Sequence, residues 1–570
     1  MTKTIDPKDL IIADLVFERG DLVAEFDLEP FFPRKPTVRI LVVADTEISF
    51  VGGFGIGKVI DLIRANADPY VRFEVDMAYI GVRGSSLTVN ASPGDREAKY
   101  LNFRFSSEHE GERIIDQYDE VWCFGFKPDN SGSNDDDRIT GHPTAPEPAD
   151  LEAITEWMNA GGGVLAMGDH HYLGATLCSQ IPRVRHMRRW TNDQSAPPQF
   201  GVDRHDTNRP QNASQDPDVT DPPNTIPNSA ERDDVPQPIE WKRYSTPSPF
   251  VFQRRYRPHP VLCGGRLGVI DVLPDHPHEG WIYEDHEVEL DAEYSYGEQS
   301  GEDFAEKGGV RPRPEVIAWS DSLSDPPHDF AKGATPARRF GQIGVYDGDE
   351  IDYGRIIVDS TWHHWMDLNL NGLEAAADDT AFQKIARYFR NCAVWLAREG
   401  QRGRMLTYTS WWTVLRAPLF EDLNVNRSIF ELGGVGLDVI GREASDCFTS
   451  EWVYIFVPRE LYERLRFPIR PKGPIWALPH PELANQAVMG GILKAMIEVR
   501  DQVLEARDRK AFMEIDLDAH LEKAIFKGAQ DGLDAFDDAL TENADILAPV
   551  RERCEFRALW KESWSRTRGR

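Results

Sequence analysis

Short apolar runs of strand length alternate with helical patterns through the first third of the chain. The runs are Thr37–Asp45, Phe73–Ile80, Glu120–Phe124 and Val164–Met167. Between the last two, Pro148 opens a segment whose apolar residues recur at helical spacing, and three glycines close it. Strands and helices in alternation are typical of a parallel sheet that is covered by helices on both faces. The pattern therefore predicts an α/β fold.

Strand patterns return after a long polar interval and then give way to helical ones. Glu315–Ser320, Gln342–Tyr346 and Gly354–Asp359 have strand length. Beyond about residue 373 the apolar residues follow helical spacing, and segment 483–504 predicts a buried helix. A separate α-helical domain is the simplest interpretation, with scaffolding or oligomerisation as its default role.

Two polar segments interrupt the α/β pattern. One lies near 129–148 and includes an acidic run, and the other, 191–238, is rich in Pro, Asn, Asp, Ser and Gln. Such segments inside a domain are disordered or form functional loops, so we interpret both as insertions. The expected organisation is an N-terminal extension over 1–36, an α/β domain with these insertions over 37–373, and an α-helical domain over 374–570.

The formal net charge of −31 limits the kinds of molecule that the protein is expected to bind. A field of this sign repels phosphate backbones, which argues against unspecific nucleic-acid binding. A local basic cluster would attract either an anionic ligand or the acidic loops of this same chain, and the second is favoured in so acidic a protein. Its members are Arg183, Arg185, Arg188 and Arg189.

The cysteines and the N-terminal sequence indicate in which cellular compartment the protein is expected. The six cysteines are scattered and form no CxxC pair, which suits reduced thiols. The sequence has no signal-peptide pattern and no apolar run of membrane-spanning length. We therefore expect a cytoplasmic protein with a small-molecule substrate and with neither nucleic-acid nor membrane partners. The helical domain would support a homo-oligomer or bind a protein partner.

The first candidate site is the turn Asp169-His170-His171, which directly follows the strand Val164–Met167. Ligands bind at the carboxyl ends of the strands in open α/β sheets. An Asp can orient a His or bind a metal, and a neutral imidazole can act as base or ligand. The structural alternative is an Asp that caps the next helix beside two rim histidines. We favour a catalytic role for all three residues.

A second pair, His363 and His364, follows the strand Gly354–Asp359. Neighbouring residues on a strand point to opposite faces, so at most one of these histidines is expected to reach a shared site. We assign that role to His363 and expect the adjacent tryptophans to pack in the core. If the two strand ends meet, His363 lies beside Asp169.

The densest titratable cluster is Asp275, His276, His278 and Glu279, next to prolines that disfavour a helix. Its structural alternative is a solvated turn. A metal needs three or four ligands, which usually converge from more than one segment. A divalent Zn, Mn or Fe ion would therefore draw on several clusters, and the candidate ligands are His170, Asp275, His278, Glu279 and His363.

Two weaker signals lie nearby. The glycine-rich turn 52–57 could cradle an anion, but it lacks the Lys-Ser/Thr of a P-loop. Cys178 comes too late after the turn at Asp169 to be a nucleophile at a helix start, and we interpret it as a core residue.

Leu151–Gly168 resembles the helix–glycines–strand passage of class I glutamine amidotransferase-like domains, especially their ThuA-like (trehalose-utilisation) branch. Gly354–His363 is similar to the final strand of that branch, which ends in Gly-His where this chain has Trp-His. The segment His259-Pro260 is similar to a His-Pro segment of the same branch. The resemblance covers roughly residues 37–373. It implies a flavodoxin-like parallel sheet, a site at the strand ends and a functional His363.

The chain departs from these families at the nucleophile. Gly168 stands where amidotransferases have a cysteine, and His170 lies two residues beyond the usual histidine of ThuA-like proteins. A thioester mechanism is therefore not expected. The hypothesis is a hydrolase or lyase of a small polar, carbohydrate-like substrate, with His170 or His363 as general base oriented by Asp169. The alternative is a non-catalytic amidotransferase-like subunit or ligand sensor that binds partners through its helical domain.

Overall fold

The computed structural model describes fourteen stretches of the chain: 33–45, 48–66, 68–125, 139–169, 173–190, 236–246, 255–274, 282–322, 338–376, 378–416, 428–444, 446–456, 481–505 and 516–567. The chain divides into two compact units. The first comprises 36–245 and 256–402, and the second comprises 1–35, 246–255 and 403–570. Among the described residues, no helix is long and apolar enough to cross a membrane.

Ten strands of the first unit form one mixed sheet. In chain order they are β1 (Thr37–Ala44), β2 (Arg72–Ile80), β3 (Thr88–Val89), β4 (Tyr100–Phe103), β5 (Glu120–Phe124), β6 (Gly163–Met167), β7 (Glu240–Trp241), β8 (Glu315–Ser322), β9 (Arg338–Tyr346) and β10 (Ile356–Asp359). Their spatial order is β7-β8-β9-β10-β6-β5-β1-β2-β4-β3. The remaining short strands are Glu108–His109, Glu112–Arg113, Gln237–Pro238, Tyr244–Thr246, Arg255–Arg257, Val272–Leu273, Glu293–Tyr296 and Gln299–Glu302.

The centre of the sheet is parallel, as the alternating pattern predicted. Strands β10, β6, β5, β1, β2 and β4 run in one direction. Strands β7, β8 and β9 extend the sheet in antiparallel pairing beside β10. The α/β class is therefore confirmed, and the antiparallel extension is an addition, because an apolar run does not specify the direction in which a strand pairs.

Helices flank the sheet or build the second unit. Their bounds are α1 (Gly57–Arg64), α2 (Pro148–Asn159), α3 (Ala175–Cys178), α4 (Asp367–Glu374), α5 (Thr380–Leu396), α6 (Glu399–Arg416), α7 (Ile429–Ala444), α8 (Asp446–Tyr454), α9 (Pro481–Glu505) and α10 (Leu517–Thr567). The helical pattern beyond residue 373 led us to place α5 in the helical domain, but the unit that contains the sheet extends to Arg402 and includes it.

Side chains of the parallel strands alternate between two buried layers. Val121 and Cys123 of β5 belong to the apolar cluster that includes residues of α2. Trp122 and Phe124 of the same strand instead contact Trp365, whose ring lies against Phe389 of α5. Both faces of β5 are thus covered, as in doubly wound sheets, which explains why its residues are all buried.

The topology gathers strand ends at one edge. In space, β2 and β4 lie on one side of β1, and β5, β6 and β10 lie on the other. The order in which strands are added to the sheet therefore reverses between the neighbours β1 and β5, although all six strands run parallel. Strands β6 and β10 pair directly, with Met167 beside Asp359. Residues that follow these two strands therefore leave the sheet side by side at its carboxyl edge, where ligands bind in this class of fold.

The second unit contains helices whose backbones touch. A Cβ atom on Gly433 of α7 would overlap the carbonyl oxygen of Gln486 in α9. A Cβ on Gly491 of α9 would overlap the carbonyl oxygen of Gly528 in α10. Glycine at these points lets the helices approach more closely than any other residue would allow.

Candidate functional site

Asp169 and His363 come together at the ends of β6 and β10. Oδ2 of Asp169 lies 3.6 Å from Nε2 of His363, and the two residues are 3% and 1% exposed. Oδ1 of Asp169 accepts a hydrogen bond from the hydroxyl of Thr361 at 3.1 Å. The two strand ends that the sequence marked as candidates therefore form one buried polar cluster.

The backbone around His363 is fixed from both sides. Residues Trp362–His364 form one 3₁₀ turn, and Thr361 is its N-cap. The Thr361 hydroxyl accepts the N–H of His363 at 3.2 Å while it donates to Asp169. Nδ2 of Asn369 donates to the carbonyl oxygen of His363 at 3.0 Å. One threonine thus sets the position of both members of the pair.

His364 faces a different carboxylate. Its Nδ1 lies 2.7 Å from Oδ1 of Asp359, whose Oδ2 accepts the hydroxyl of Tyr388 at 3.0 Å. Both His364 and Asp359 are fully buried. The two adjacent histidines therefore lie beside separate acids, although they belong to a 3₁₀ turn and not to a strand as the alternation argument assumed. Asp359 was not among the predicted site residues, although an acid as the last residue of an apolar strand was the signal that could have indicated it.

Arg188 joins the two strand ends. Its Nη2 donates to the carbonyl oxygens of Asp169 (2.9 Å) and Ser360 (2.6 Å), and its Nη1 donates to that of Arg189 (2.6 Å). Burial lowers the pKa of Arg188 to about 10, while the carboxylates of Asp169 and Asp359 act to raise it. The guanidinium therefore keeps its positive charge at neutral pH, beside both acids.

Gly168 leaves space for that guanidinium. A Cβ at this position would lie 2.8 Å from Cζ of Arg188 and 2.9 Å from the carbonyl oxygen of Leu173. A side chain at position 168, which the sequence resemblance aligns with the amidotransferase cysteine, would therefore need Arg188 or the backbone to shift. Cys178, at the end of the single-turn helix α3, is completely buried, and burial raises the pKa of its thiol. This favours the core role expected for Cys178.

Other predicted site residues have different outcomes. His170, His171, Asp275, His278 and Glu279 lie outside the described residues. Within the part of the chain that is described, no three His, Cys, Asp or Glu residues are grouped so that they could hold a metal. His259 packs its ring against Trp395 and accepts the N–H of Val261 through Nδ1 at 3.3 Å, which is a structural role.

A carboxyl group of the chain itself, that of Asp367, binds at the start of α1, directly after the glycine-rich turn. Oδ1 of Asp367 accepts the N–H of Lys58, in the first turn of α1, at 2.7 Å. Burial raises the pKa of Asp367 to about 6, although this hydrogen bond and Arg96 act to lower it. An internal carboxyl group thus occupies the helix start that the sequence marked as able to cradle an anion.

Comparison with family models, curated proteins and solved structures finds no match for this chain. The functional argument therefore depends on the geometry of the strand ends. That geometry offers a carboxylate–imidazole pair, a hydroxyl that links them, and a buried cation at the backbone of both strands.

Proposed function

We propose that this protein is a hydrolase or lyase that acts on a small polar, carbohydrate-like substrate at the carboxyl edge of its sheet. His363 is the general base and Asp169 orients it. The finer fold proposal is a flavodoxin-like, amidotransferase-type domain. It is supported by the order β2-β1-β5-β6-β10 of five neighbouring parallel strands, which is 2-1-3-4-5 along the chain when β4, the sixth parallel strand on the outer side of β2, is left out.

The observation that carries the proposal is the approach of Asp169 to His363, at 3.6 Å between Oδ2 and Nε2. This distance suits an ion pair and exceeds a hydrogen bond. Contacts of this kind often shorten when substrate binds. When His363 accepts a proton, the Asp169 carboxylate stabilises the imidazolium, and burial strengthens that attraction. The pair can therefore take a proton from water or a substrate hydroxyl and return it to a leaving group.

Two variants test the assignment in the full-length protein. Asp169→Asn keeps an oxygen that accepts from Thr361 and removes the negative charge, whereas His363→Gln removes the base. Turnover would be measured with p-nitrophenyl esters and p-nitrophenyl glycosides as probes. General acid–base catalysis contributes about 10²–10⁴-fold, so each variant should lose about 100-fold or more in kcat.

His142→Asn is the matched control, since His142 is also buried and hydrogen-bonded, and its neighbour Pro143 accepts the N–H of Arg83, beyond the end of β2. It should keep wild-type turnover. Circular dichroism would show that each variant is folded. Wild-type turnover in both Asp169→Asn and His363→Gln would exclude the pair as the catalytic group.

A second candidate is a non-catalytic ligand sensor or subunit of amidotransferase type. The specific observation in its favour is that Arg188 occupies the space beside Gly168, the position that the sequence resemblance aligns with a nucleophilic cysteine. A protein that hydrolyses none of the probes, yet is stabilised by monosaccharides in thermal unfolding, would favour this function over the enzyme.

A further inference from the structure

The arginines after α3 have different partners. Nε of Arg185 donates to Oδ2 of Asp303 at 2.7 Å, so this residue meets an acidic segment of its own chain. Arg188 donates to backbone carbonyl oxygens. Arg183 is completely buried, and its Nη1 donates to Oδ1 of Asn159 at 2.8 Å. Among the residues that the structure describes, Nε and Nη2 of Arg183 have no hydrogen-bond partner.

Tyr346 provides a second buried donor, at the start of the β9–β10 connection that also carries Tyr353, whose N–H donates to the carbonyl oxygen of Gly348 at 2.9 Å. It is the last residue of β9 and is completely buried, and its hydroxyl has no hydrogen-bond partner within the described part of the chain. Burial raises the pKa of Tyr346, and the charge of Arg183 acts to lower it, so the two groups interact electrostatically. The nearby carboxylate of Asp347 binds Nε of Arg355 at 3.0 Å.

The local backbone and an aromatic ring hold Arg183 in this place. Its φ of 68° and ψ of −56° are rare for a residue with a side chain. Strained backbone of this kind persists only where the surrounding structure enforces it. The guanidinium also lies over the ring of Tyr353, with 5.1 Å between Cζ and the ring centroid. The ring of Tyr353 thus covers one face of the guanidinium, and Nη1 donates to Asn159. The edge formed by Nε and Nη2 makes no hydrogen bond with the described residues.

We propose that Arg183 and Tyr346 form a binding site for a small oxyanion. Nε and Nη2 lie along one edge of a guanidinium and match two oxygens of a carboxylate or a phosphate. The hydroxyl of Tyr346 is a third donor. A buried cation whose donors are unpaired is costly, and a bound oxyanion supplies both the missing charge and the missing acceptors.

This site is separate from the strand ends that carry Asp169 and His363. Tyr346 pairs with Ile356, the first residue of β10. Asn159 is the last residue of α2, and β6 begins shortly after it at Gly163. Arg183 therefore lies at the amino edge of the parallel strands, whereas the proposed catalytic pair follows their carboxyl edge. The oxyanion site does not depend on the proposed enzyme activity.

Thermal unfolding and isothermal titration calorimetry of the full-length protein test the proposal. Sodium phosphate and sodium acetate would be titrated separately, at an ionic strength matched with sodium chloride. We expect saturable binding and a concentration-dependent rise of the unfolding midpoint with at least one probe. Binding of phosphate alone would identify a phosphate site, and binding of acetate would identify a carboxylate site.

Variants connect the binding to the guanidinium edge. Arg183→Lys keeps the charge but removes the paired donors, and Arg183→Met removes both, so each should weaken binding by at least 10-fold. Tyr346→Phe keeps Arg183 and should weaken binding too, which provides a test even if the arginine variants fail to fold. The control Arg185→Met should bind the probe as the wild type does. Equal binding by wild type and Tyr346→Phe, or no effect of either probe beyond that of chloride, would overturn the proposal.

Discussion

Nη2 of Arg188 donates to the carbonyl oxygen of Ser360 at 2.6 Å, and the same nitrogen donates to the carbonyl oxygen of Asp169 at 2.9 Å. One buried atom therefore ties the end of β6 to the end of β10. The missing side chain at Gly168 makes room for the guanidinium. The geometry of the proposed catalytic pair thus depends on a residue that bonds to the backbone at both strand ends.

We expect Arg188→Met to destabilise the protein. The substitution removes the guanidinium donor from the buried carbonyl oxygens of Asp169 and Ser360, and each buried acceptor that loses its donor costs about 1–3 kcal/mol. The free energy of unfolding should fall by about 3 kcal/mol or more in guanidinium denaturation. Arg72→Met is the control, because Arg72 is exposed and pairs with Glu74, and it should cost at most about 1 kcal/mol. Equal losses in both variants would contradict the bridging role.

Asp367 should make stability depend on pH in the acidic range. Burial raises its pKa from 3.8 to about 6, so the folded chain binds this proton more tightly than the unfolded chain. The resulting stabilisation is complete below the unfolded pKa and is lost as the pH rises through about 6. Asp367→Asn keeps an oxygen for the N–H of Lys58 and does not titrate. Its stability, measured by denaturation between about pH 4 and pH 7, should change less than that of the wild type.

The control for this pH dependence is Asp378→Asn, since Asp378 is fully exposed and its side chain accepts from Thr380. Between about pH 5 and pH 7, the stability of Asp378→Asn should change as much as that of the wild type. If Asp367→Asn keeps that change too, another group is responsible for it.

Glu120 is a buried acid that we expect to cost stability when it ionises. It is 0% exposed, and Nε1 of Trp122 donates to its Oε2 at 2.8 Å. Burial raises its pKa well above the usual value, so its contribution to stability is lost as the pH rises through the folded pKa. Glu120→Gln keeps the acceptor for Trp122 and stays neutral. Relative to wild type, its thermal midpoint should therefore be higher at alkaline pH than at acidic pH.

An exposed glutamate provides the comparison for Glu120→Gln. Glu74 lies on β2 with a partly exposed side chain that pairs with Arg72. Glu74→Gln should shift the thermal midpoint little, and by a similar amount at all pH values. A parallel response of the two glutamine variants would show that burial of Glu120 does not control its titration.

The centre of the fold could be predicted because β5, β6 and β10 are buried at every position, and therefore on both faces. Such strands are continuous apolar runs, and the run Glu120–Phe124 coincides with β5. The antiparallel strands β8 and β9 have similar runs, but their pairing direction depends on tertiary contacts that no local pattern contains. The apolar stripe of α5 likewise predicts that the segment is a helix. It does not predict which face of the sheet the helix covers, because that also depends on tertiary contacts.

The position of the candidate pair could be predicted as well, because Asp169 and His363 follow apolar strands that are adjacent in a doubly wound sheet. Arg188 could not, since its partners are backbone carbonyl oxygens, which every residue has. Arg183, Arg185 and Arg189 lie close to it in the sequence, so its charge alone does not distinguish it. The catalytic roles of Asp169 and His363 stay predictions until the variants are measured.

Two adjacent glycines of α7 should respond in opposite directions to alanine. A Cβ on Gly433 would overlap the carbonyl oxygen of Gln486 in α9, whereas a Cβ on Gly434 meets nothing nearer than the side-chain amide of Gln486 at 3.9 Å. Gly433→Ala must push two helix backbones apart, and overpacking of this kind costs about 1–3 kcal/mol or more. Gly434→Ala gains helix propensity of about 0.5–1 kcal/mol.

Guanidinium denaturation followed by circular dichroism at 222 nm, the usual helix signal, would measure both variants of α7. The difference between Gly433→Ala and Gly434→Ala should reach about 2 kcal/mol or more, with the wild type between them. Since the two positions are neighbours on one helix, changes in the unfolded chain are nearly the same and cancel in this comparison. Equal stabilities would mean that α7 and α9 do not touch at Gly433 in solution.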